Sequence, residues 1–224
     1  ADRRARLLPT STFIQIRALV MLALPLGVGS MLLSLNSSLP RYFVELYWGE
    51  RSLGIFAGMA YVVVAMGMLV NSVGQSLSTR LSQYWAAGSL QAFRTLLGKF
   101  ALFAMLWGMV GILVGVIGGE GILTLLYGTE FAAYSQTFVW LMAVGALSHL
   151  SSVCGFGMTA ARIIRSQSFQ FAGVAAVGLV GSLTLIPRFG LNGAVWAFGA
   201  SLLTQLMLAF VCLSLVLSRR MKRS

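Results

Sequence analysis

Six long apolar runs constrain the fold of this chain more than any other feature. None of them contains Asp, Glu, Lys or Arg, and they cover residues 19–35, 53–77, 100–117, 137–158, 169–186 and 193–217. A helix needs about 20 apolar residues to cross the hydrocarbon core of a bilayer. Because these runs lack the alternation of a lipid-facing barrel strand, helix is the spanning structure they can adopt. The runs therefore predict six transmembrane helices.

The composition agrees with a membrane protein and argues against nucleic-acid binding. Hydrophobic residues make up 58% of the chain, charged residues only 9%, and the mean hydropathy is +0.87. A soluble domain carries about 25% charged residues. The net charge of +11 belongs to residues that flank apolar runs, whereas nucleic-acid binding needs a basic patch on a polar surface. We therefore expect membrane lipids, and no nucleic acid, among the partners.

The basic residues predict the orientation. If the amino terminus is cytoplasmic, this side holds four in the first segment, three in one loop, two in another and four at the end, 13 of the 16 basic residues. Since positively charged loops stay in the cytoplasm, both termini are predicted to be cytoplasmic. The fold class predicted is an all-α membrane protein, a bundle of six transmembrane helices. A basic arm, the bundle and a basic tail are assigned to residues 1–17, 18–217 and 218–224.

The connections between the runs are less regular. The stretch 36–61 is a polar interruption with a turn at Pro40, interpreted either as an ordinary interfacial loop or as a functional mouth. Between the second and third runs we predict a break at Gly88, followed by a short helix lying on the inner interface. Residues 118–135 are expected to form a glycine-rich outer loop, and 186–190 a tight turn that makes the last two spans a hairpin.

Signals for catalysis are missing from the sequence. It shows no phosphate-binding glycine loop, no paired carboxylates and no Cys/His cluster, so we expect no enzyme activity, no cofactor and no metal. His149 is the sole histidine and lies inside the fourth run. An intramembrane ionisable group is a functional candidate, but a histidine hydrogen-bonded to neighbouring hydroxyls or a carbonyl is the favoured interpretation.

Polar side chains along the first two runs are the remaining functional signal. Asn71 and Gln75 share one helical face with serines further along, and Arg80 closes its inner end. Such groups avoid lipid and face either other helices or a wet cavity, and two extended stripes favour the cavity. The candidate substrate path comprises Asn36, Arg41, Glu45, Asn71, Gln75 and Arg80.

Several ordered motifs resemble one transporter family. They are LPLG at 24–27, LPRYFVE at 39–45, LGIFA at 53–57, LLYGTEF at 125–131 and IPRFGLNGA at 186–194. In this order and spacing, the chain is similar to the carboxy-terminal half of polysaccharide transporters, the oligosaccharide–lipid flippases of the multidrug/oligosaccharidyl-lipid/polysaccharide exporter superfamily. The similarity runs from about residue 24 to the last run.

The resemblance implies a protein of about twelve spans in two pseudo-symmetric halves around a central cavity. Such proteins move a polyprenyl-diphosphate-linked glycan from the inner to the outer leaflet of a bacterial or archaeal cytoplasmic membrane by alternating access. The chain would supply one half, and the missing amino-terminal half or a second copy would be its partner. At the outer mouth, Arg41 would pair with Glu45 in one state and release it in the other.

Two other functions remain open. A drug or cation antiporter of the same superfamily would want a carboxylate inside a span, which no run contains, although the missing half could supply one. A non-transporting membrane scaffold subunit would need no water-accessible path, and the polar stripes argue against it.

Overall fold

A computed structural model describes residues 13–221 as four long α-helices and one short 3-10 helix, with no strand in this range. The elements in chain order are α1 (Phe13–Ala86), α2 (Leu90–Tyr127), the 3-10 helix (Thr129–Tyr134), α3 (Ser135–Ala160) and α4 (Ile164–Met221). By length and composition, four helical segments in this range could each cross a membrane. The all-helical class is thus confirmed, while the helices number four instead of the six that the apolar runs predict.

Helix α1 reverses direction at Gly49. Its 74 residues would extend about 110 Å if straight, well beyond the ~30 Å hydrocarbon thickness of a bilayer. Gly49 has φ 78° and ψ 173°, a conformation that glycine adopts without a steric penalty. The Arg41 guanidinium lies over the Tyr61 ring, with its central carbon 5.8 Å from the ring centroid. The arms 13–48 and 50–86 therefore lie side by side and run in opposite directions.

Helix α4 reverses in the same way at Gly190, where φ is 57° and ψ is −132°. On either side of this residue the two arms pack against each other. A Cβ atom built on Gly181 would lie 3.1 Å from the Cβ of Ala197, and one built on Gly193 would collide with the carbonyl of Leu185. The hairpin predicted from residues 186–190 is thus present, although the helix continues to Phe189.

Several predicted connections are wrong in detail. Helix α1 continues through Pro40 and turns at Gly49, since the fixed φ of proline is compatible with a helix whereas the turn needs positive φ. The break at Gly88 is confirmed, but no separate interfacial helix follows, because α2 runs without interruption from Leu90. The outer loop 118–135 is helical as far as Tyr127. The predicted arm (1–17) and tail (218–224) lie in part outside the described residues, at 1–12 and 222–224, while residues 13–17 and 218–221 belong to α1 and α4.

The reversals gather at two ends of the bundle. The indole Nε1 of Trp48 donates a 2.9 Å hydrogen bond to the carbonyl of Ile186, and Arg51 forms a 2.7 Å ion pair with Glu130. These contacts bring the reversals at Gly49, Gly128 and Gly190 together at what we call the Gly49 end. At the opposite end, the Gly88 end, the Arg220 guanidinium lies 4.1 Å from the centroid of the Trp85 ring.

The core is divided along the length of the bundle. Its largest cluster of buried side chains lies towards the Gly49 end and joins all four helices through residues such as Met59, Leu123, Phe138 and Val195. Smaller clusters continue towards the Gly88 end. Helices α2 and α3 meet along the glycines of α2: a Cβ on Gly108 would lie only 2.6 Å from the Cβ of Ala146. Such close approach is typical of small-residue packing between membrane helices.

Candidate functional site

A cavity of about 240 Å³ lies between the two arms of α1, helix α3 and the second arm of α4. Most of its wall is apolar, with residues such as Phe56, Val63, Leu141 and Phe198. Its polar lining comes from α1 and α3, and consists of Ser37, Arg41, Asn71, Ser148, His149 and Ser152. A mostly apolar pocket with a few convergent polar groups is the usual form of a ligand site.

Arg41 is the one charged residue among the described residues of this lining. Its side chain is half-buried, and its guanidinium contacts the face of the Tyr61 ring. Among the described residues Arg41 and Glu45 form no ion pair, and Glu45 is exposed. The exchange of partners expected between Arg41 and Glu45 therefore stays a prediction for a second conformation.

His149 lies at the centre of the α3 wall and is only 5% exposed. Its ring stands opposite Gly67, where a Cβ would be 3.6 Å from the imidazole Cε1. Within the described part of the chain the imidazole has no hydrogen-bond partner. The favoured interpretation, a histidine hydrogen-bonded to neighbouring hydroxyls or a carbonyl, finds no such bond among the described residues. Two of the neighbouring hydroxyls bond elsewhere: Ser151 Oγ donates to the carbonyl of Leu202 on α4, and Ser152 Oγ donates to the carbonyl of Ser148 in the preceding turn.

The cavity serines differ in how their hydroxyls are used. Ser37 Oγ donates to the carbonyl of Ser34 at 2.8 Å, and Ser152 Oγ donates to the carbonyl of Ser148 at 3.0 Å. Among the residues whose side chains the structure describes, no partner is found for the side chains of Ser148 and Asn71. Three polar side chains thus line the cavity without such a partner: the buried imidazole of His149, the half-buried Ser148 and the exposed Asn71.

Of the six predicted path residues, the structure brings Arg41 and Asn71 together in this cavity. Asn36 is instead 3% exposed and packed against Gly178 of α4, with its Oδ1 buried and unpartnered in the described region. The side chains of Glu45, Gln75 and Arg80 lie on the exposed surface.

Sequence reasoning missed Tyr61, the aromatic partner of Arg41. A signal was present, since Tyr61 closes the same aromatic-rich stretch that contains Arg41. Which residue Tyr61 meets on the other arm of α1, however, depends on the reversal at Gly49. The expectation of no metal site stays a prediction. Among the described residues there is no group of three or more His, Cys, Asp or Glu side chains that could hold a metal ion.

A larger depression of about 720 Å³ lies at the Gly88 end, around the turn between α1 and α2. Its lining includes Tyr84 and Lys99, whose side chains are exposed. Because none of its lining residues is buried, it lacks the enclosed polar groups that distinguish the smaller cavity.

Comparison with known proteins points to polysaccharide metabolism. No protein-family profile matches the sequence, and no solved structure matches it. A curated protein does. The chain is 29% identical over 183 residues to the "Capsular polysaccharide biosynthesis protein CapF" of Staphylococcus aureus. The matched region covers 80% of this chain and 45% of that relative, so the chain spans less than half the length of the relative. The similarity and the apolar helices together support a polysaccharide-related role at a membrane.

Proposed function

We propose that this chain forms one half of a membrane transporter that moves polyprenyl-diphosphate-linked oligosaccharide precursors from the inner to the outer leaflet. The observation that carries the proposal is the similarity to CapF, a protein named for capsular polysaccharide biosynthesis. A chain dominated by long apolar helices is suited to a membrane step of such a pathway. The match to less than half of the relative fits a role as one half of a larger transporter.

We further propose that the four helices make six crossings. Each arm of α1 and α4 is longer than the roughly 20 residues a crossing needs, and each pair of arms is joined by one non-helical glycine. The Gly49 end would then face outwards. Arg80, Arg94 and Lys99 surround the break at Gly88 in the sequence, which favours a cytoplasmic Gly88 end and cytoplasmic termini.

The surface of this half suggests where the larger path would run. Gln75, Ser82 and Thr79 lie exposed along the second arm of α1, and a polar stripe facing lipid would be unfavourable. A second half, or a second copy, would cover this stripe and enclose a water-filled path. Alternating access would then open the path to one leaflet at a time, with Arg41 and Glu45 near the outer mouth.

Transport in reconstituted vesicles tests the proposal. The chain would be purified alone and together with any segment that precedes it in its reading frame, then reconstituted with a radiolabelled polyprenyl-diphosphate disaccharide. We expect the glycan to become accessible to an external glycosidase in vesicles that contain the complete assembly. If its appearance outside matches that in protein-free vesicles for both preparations, the proposal is wrong.

Labelling separates a transporter from a scaffold. In a background lacking Cys154 and Cys212, cysteines at Asn71 and Gln75 would be treated with a membrane-impermeant maleimide. A wet path predicts rapid labelling at both positions, whereas a cysteine at Leu113, an exposed apolar position of α2, serves as the lipid-facing control. Labelling at Asn71 and Gln75 as slow as that at Leu113 would favour the scaffold.

A further inference from the structure

We propose that a groove between α2, α3 and the second arm of α4 binds an anionic phospholipid. One acyl chain would lie in the groove, and the negatively charged headgroup would lie beside Arg94 at its mouth. The described lining of this groove shares no residue with the cavity that holds Arg41. The inference concerns a resident lipid, so it goes beyond the proposed transport of a glycan and does not depend on it.

The groove exists because α2 and α4 both pack on α3 while they make little direct contact with each other. Beneath it, a Cβ atom built on Gly157 of α3 would lie 3.1 Å from Leu97 of α2 and 3.4 Å from Leu213 of α4. Exposed residues stand on both sides, Gly98 on α2 and Phe210 on α4, and a Cβ on Gly98 would meet nothing within 4 Å. The groove encloses about 340 Å³ and is open to the surrounding lipid.

The groove is polar at one end and apolar along most of its length. Arg94 lies in the first turns of α2 and Ser218 in the last turn of α4, so both lie at the Gly88 end. The hydroxyl of Ser214, further in, donates a 2.9 Å hydrogen bond to the carbonyl of Val211. The rest of the described lining is mostly hydrocarbon, with residues such as Leu97, Ala101, Val153, Phe210 and Leu217. This arrangement matches an amphiphile with its headgroup at the Gly88 end.

The length of the groove favours an acyl chain as its occupant. Phe210 and Ser218 mark its extent on α4, and at 1.5 Å rise per residue they are about 12 Å apart. The hydrocarbon core of a bilayer is about 30 Å thick, or about 15 Å for each leaflet. The groove thus fits within one leaflet, as an acyl chain does, whereas a long polyprenyl chain would extend beyond it. Because a void forfeits dispersion contacts, an apolar groove that faces lipid is filled by such a chain.

The distribution of charge selects the headgroup. The glutamates of the described region all lie towards the Gly49 end, at positions 45, 50, 120 and 130. The Gly88 end instead carries Arg94 at the groove, with Arg80, Lys99 and Arg220 in the elements that meet there. No Asp or Glu is among the described residues of the lining. Basic pockets between transmembrane helices bind anionic lipid headgroups, so the groove prefers an anionic to a zwitterionic phospholipid.

Lipid retention after detergent extraction tests the proposal. The chain would be reconstituted in vesicles of equal parts phosphatidylcholine and phosphatidylglycerol with identical acyl chains, then extracted in a mild non-ionic detergent. Mass spectrometry would count the lipids retained per chain. We expect phosphatidylglycerol to be retained over phosphatidylcholine by about fivefold or more, the preference that one basic residue near an anionic lipid supplies. Equal retention of the two lipids would overturn the proposal.

Two arginine variants locate the preference. Arg94→Gln should abolish most of it, because the charge at the mouth of the groove is lost. Arg80→Gln is the matched control, since Arg80 is exposed at the same end of the bundle but does not line the groove. If both variants lower the preference equally, the attraction belongs to the whole basic surface of the Gly88 end, and the groove is not the site.

Filling the groove tests the position of the acyl chain. Gly98→Phe would place a ring in the open space beside α2, so retention of phosphatidylglycerol should fall severalfold. Gly121→Phe, on the same helix and also with nothing within 4 Å, should retain as much lipid as the unaltered chain. Equal retention by these two variants would contradict the site. If Gly98→Phe aggregates, the arginine pair still decides the outcome.

A polyprenyl phosphate distinguishes a resident phospholipid from a substrate lipid. Added to the vesicles in an amount equal to that of phosphatidylglycerol, it should leave the bound phospholipid in place, because its chain is longer than the groove. Displacement of phosphatidylglycerol would overturn the assignment to a phospholipid. A chain that retains phosphatidylglycerol but transports no glycan would contradict the transport function and leave this site standing.

Discussion

Helix α3 has two contrasting faces: one packs closely against α2, and the other lines a cavity beside α1. Towards α2, Ala146 and Met142 meet Gly108 and Gly115 so closely that a Cβ on either glycine would contact α3 at 3.2 Å or less. Towards α1, the same helix presents His149 to a cavity of about 240 Å³ with its imidazole unpartnered in the described region.

The difference shows where this bundle is rigid and where it can accept a ligand. Without a hydrophobic driving force between helices in lipid, close backbone contact supplies the attraction, and glycine permits it. A closely packed interface of this kind has no space for a ligand and resists rearrangement, whereas a cavity lined by polar groups can exchange water for a ligand. Stability should therefore depend on the α2–α3 face, and function on the α1–α3 face.

The largest effect on stability should come from filling the packed face. Gly108→Leu would place a Cβ 2.6 Å from the Cβ and 3.0 Å from the Cα of Ala146, so the backbone of α3 would have to shift. We expect a loss of about 3 kcal/mol or more in SDS-driven unfolding from mixed micelles. Gly98→Leu is the matched control, because Gly98 lies on the same helix with nothing within 4 Å. Equal stability of the two variants would contradict this assignment.

The next largest effect should be functional and confined to the cavity. Arg41→Ala should reduce glycan transport by between about tenfold and a hundredfold, because a charge-assisted contact is lost. Membrane insertion should be intact, since the exposed part of the side chain makes only one ring contact in the described region. The measurement is vesicle transport beside Arg188→Ala. Normal transport by Arg41→Ala would remove Arg41 from the path.

A smaller effect is expected where the two reversing helices meet. Trp48→Phe removes the 2.9 Å hydrogen bond from the indole Nε1 to the carbonyl of Ile186 and keeps an aromatic ring against Gly190. The free energy of unfolding should fall by about 1 kcal/mol. Trp140→Phe, at an exposed indole with no such bond in the described region, should change it little. If the two variants lose the same free energy of unfolding, the Trp48–Ile186 bond does not hold α1 and α4 together.

The smallest effect on stability should come from the exposed ion pair at the Gly49 end. The Arg51–Glu130 pair is short at 2.7 Å, but its side chains are 81% and 56% exposed. Exposed ion pairs contribute little and are screened by salt. Arg51→Gln should therefore leave the unfolding midpoint unchanged within error at physiological salt. A clear loss of stability that disappears at 1 M salt would show that the pair clamps the 3-10 helix to α1.

How much of the site could be predicted is clearest from Asn36, Asn71 and Gln75. All three were identified as polar residues in apolar surroundings, and that pattern is visible in the sequence. The structure buries Asn36 against α4, places Asn71 at the cavity and leaves Gln75 on the surface. Each residue turns a helix by about 100°, so the environment of a polar group depends on helix rotation, which hydropathy does not report.

The sequence by itself determined that the chain is helical and suited to a membrane, because long uncharged runs in lipid can satisfy their backbone only as helices. It also located the break at Gly88. The tertiary structure alone decided that Arg41 meets Tyr61 and shares a cavity with His149. The physical reason is that residues distant in sequence become neighbours only once the reversal is set, and here a single glycine with positive φ, Gly49, sets it.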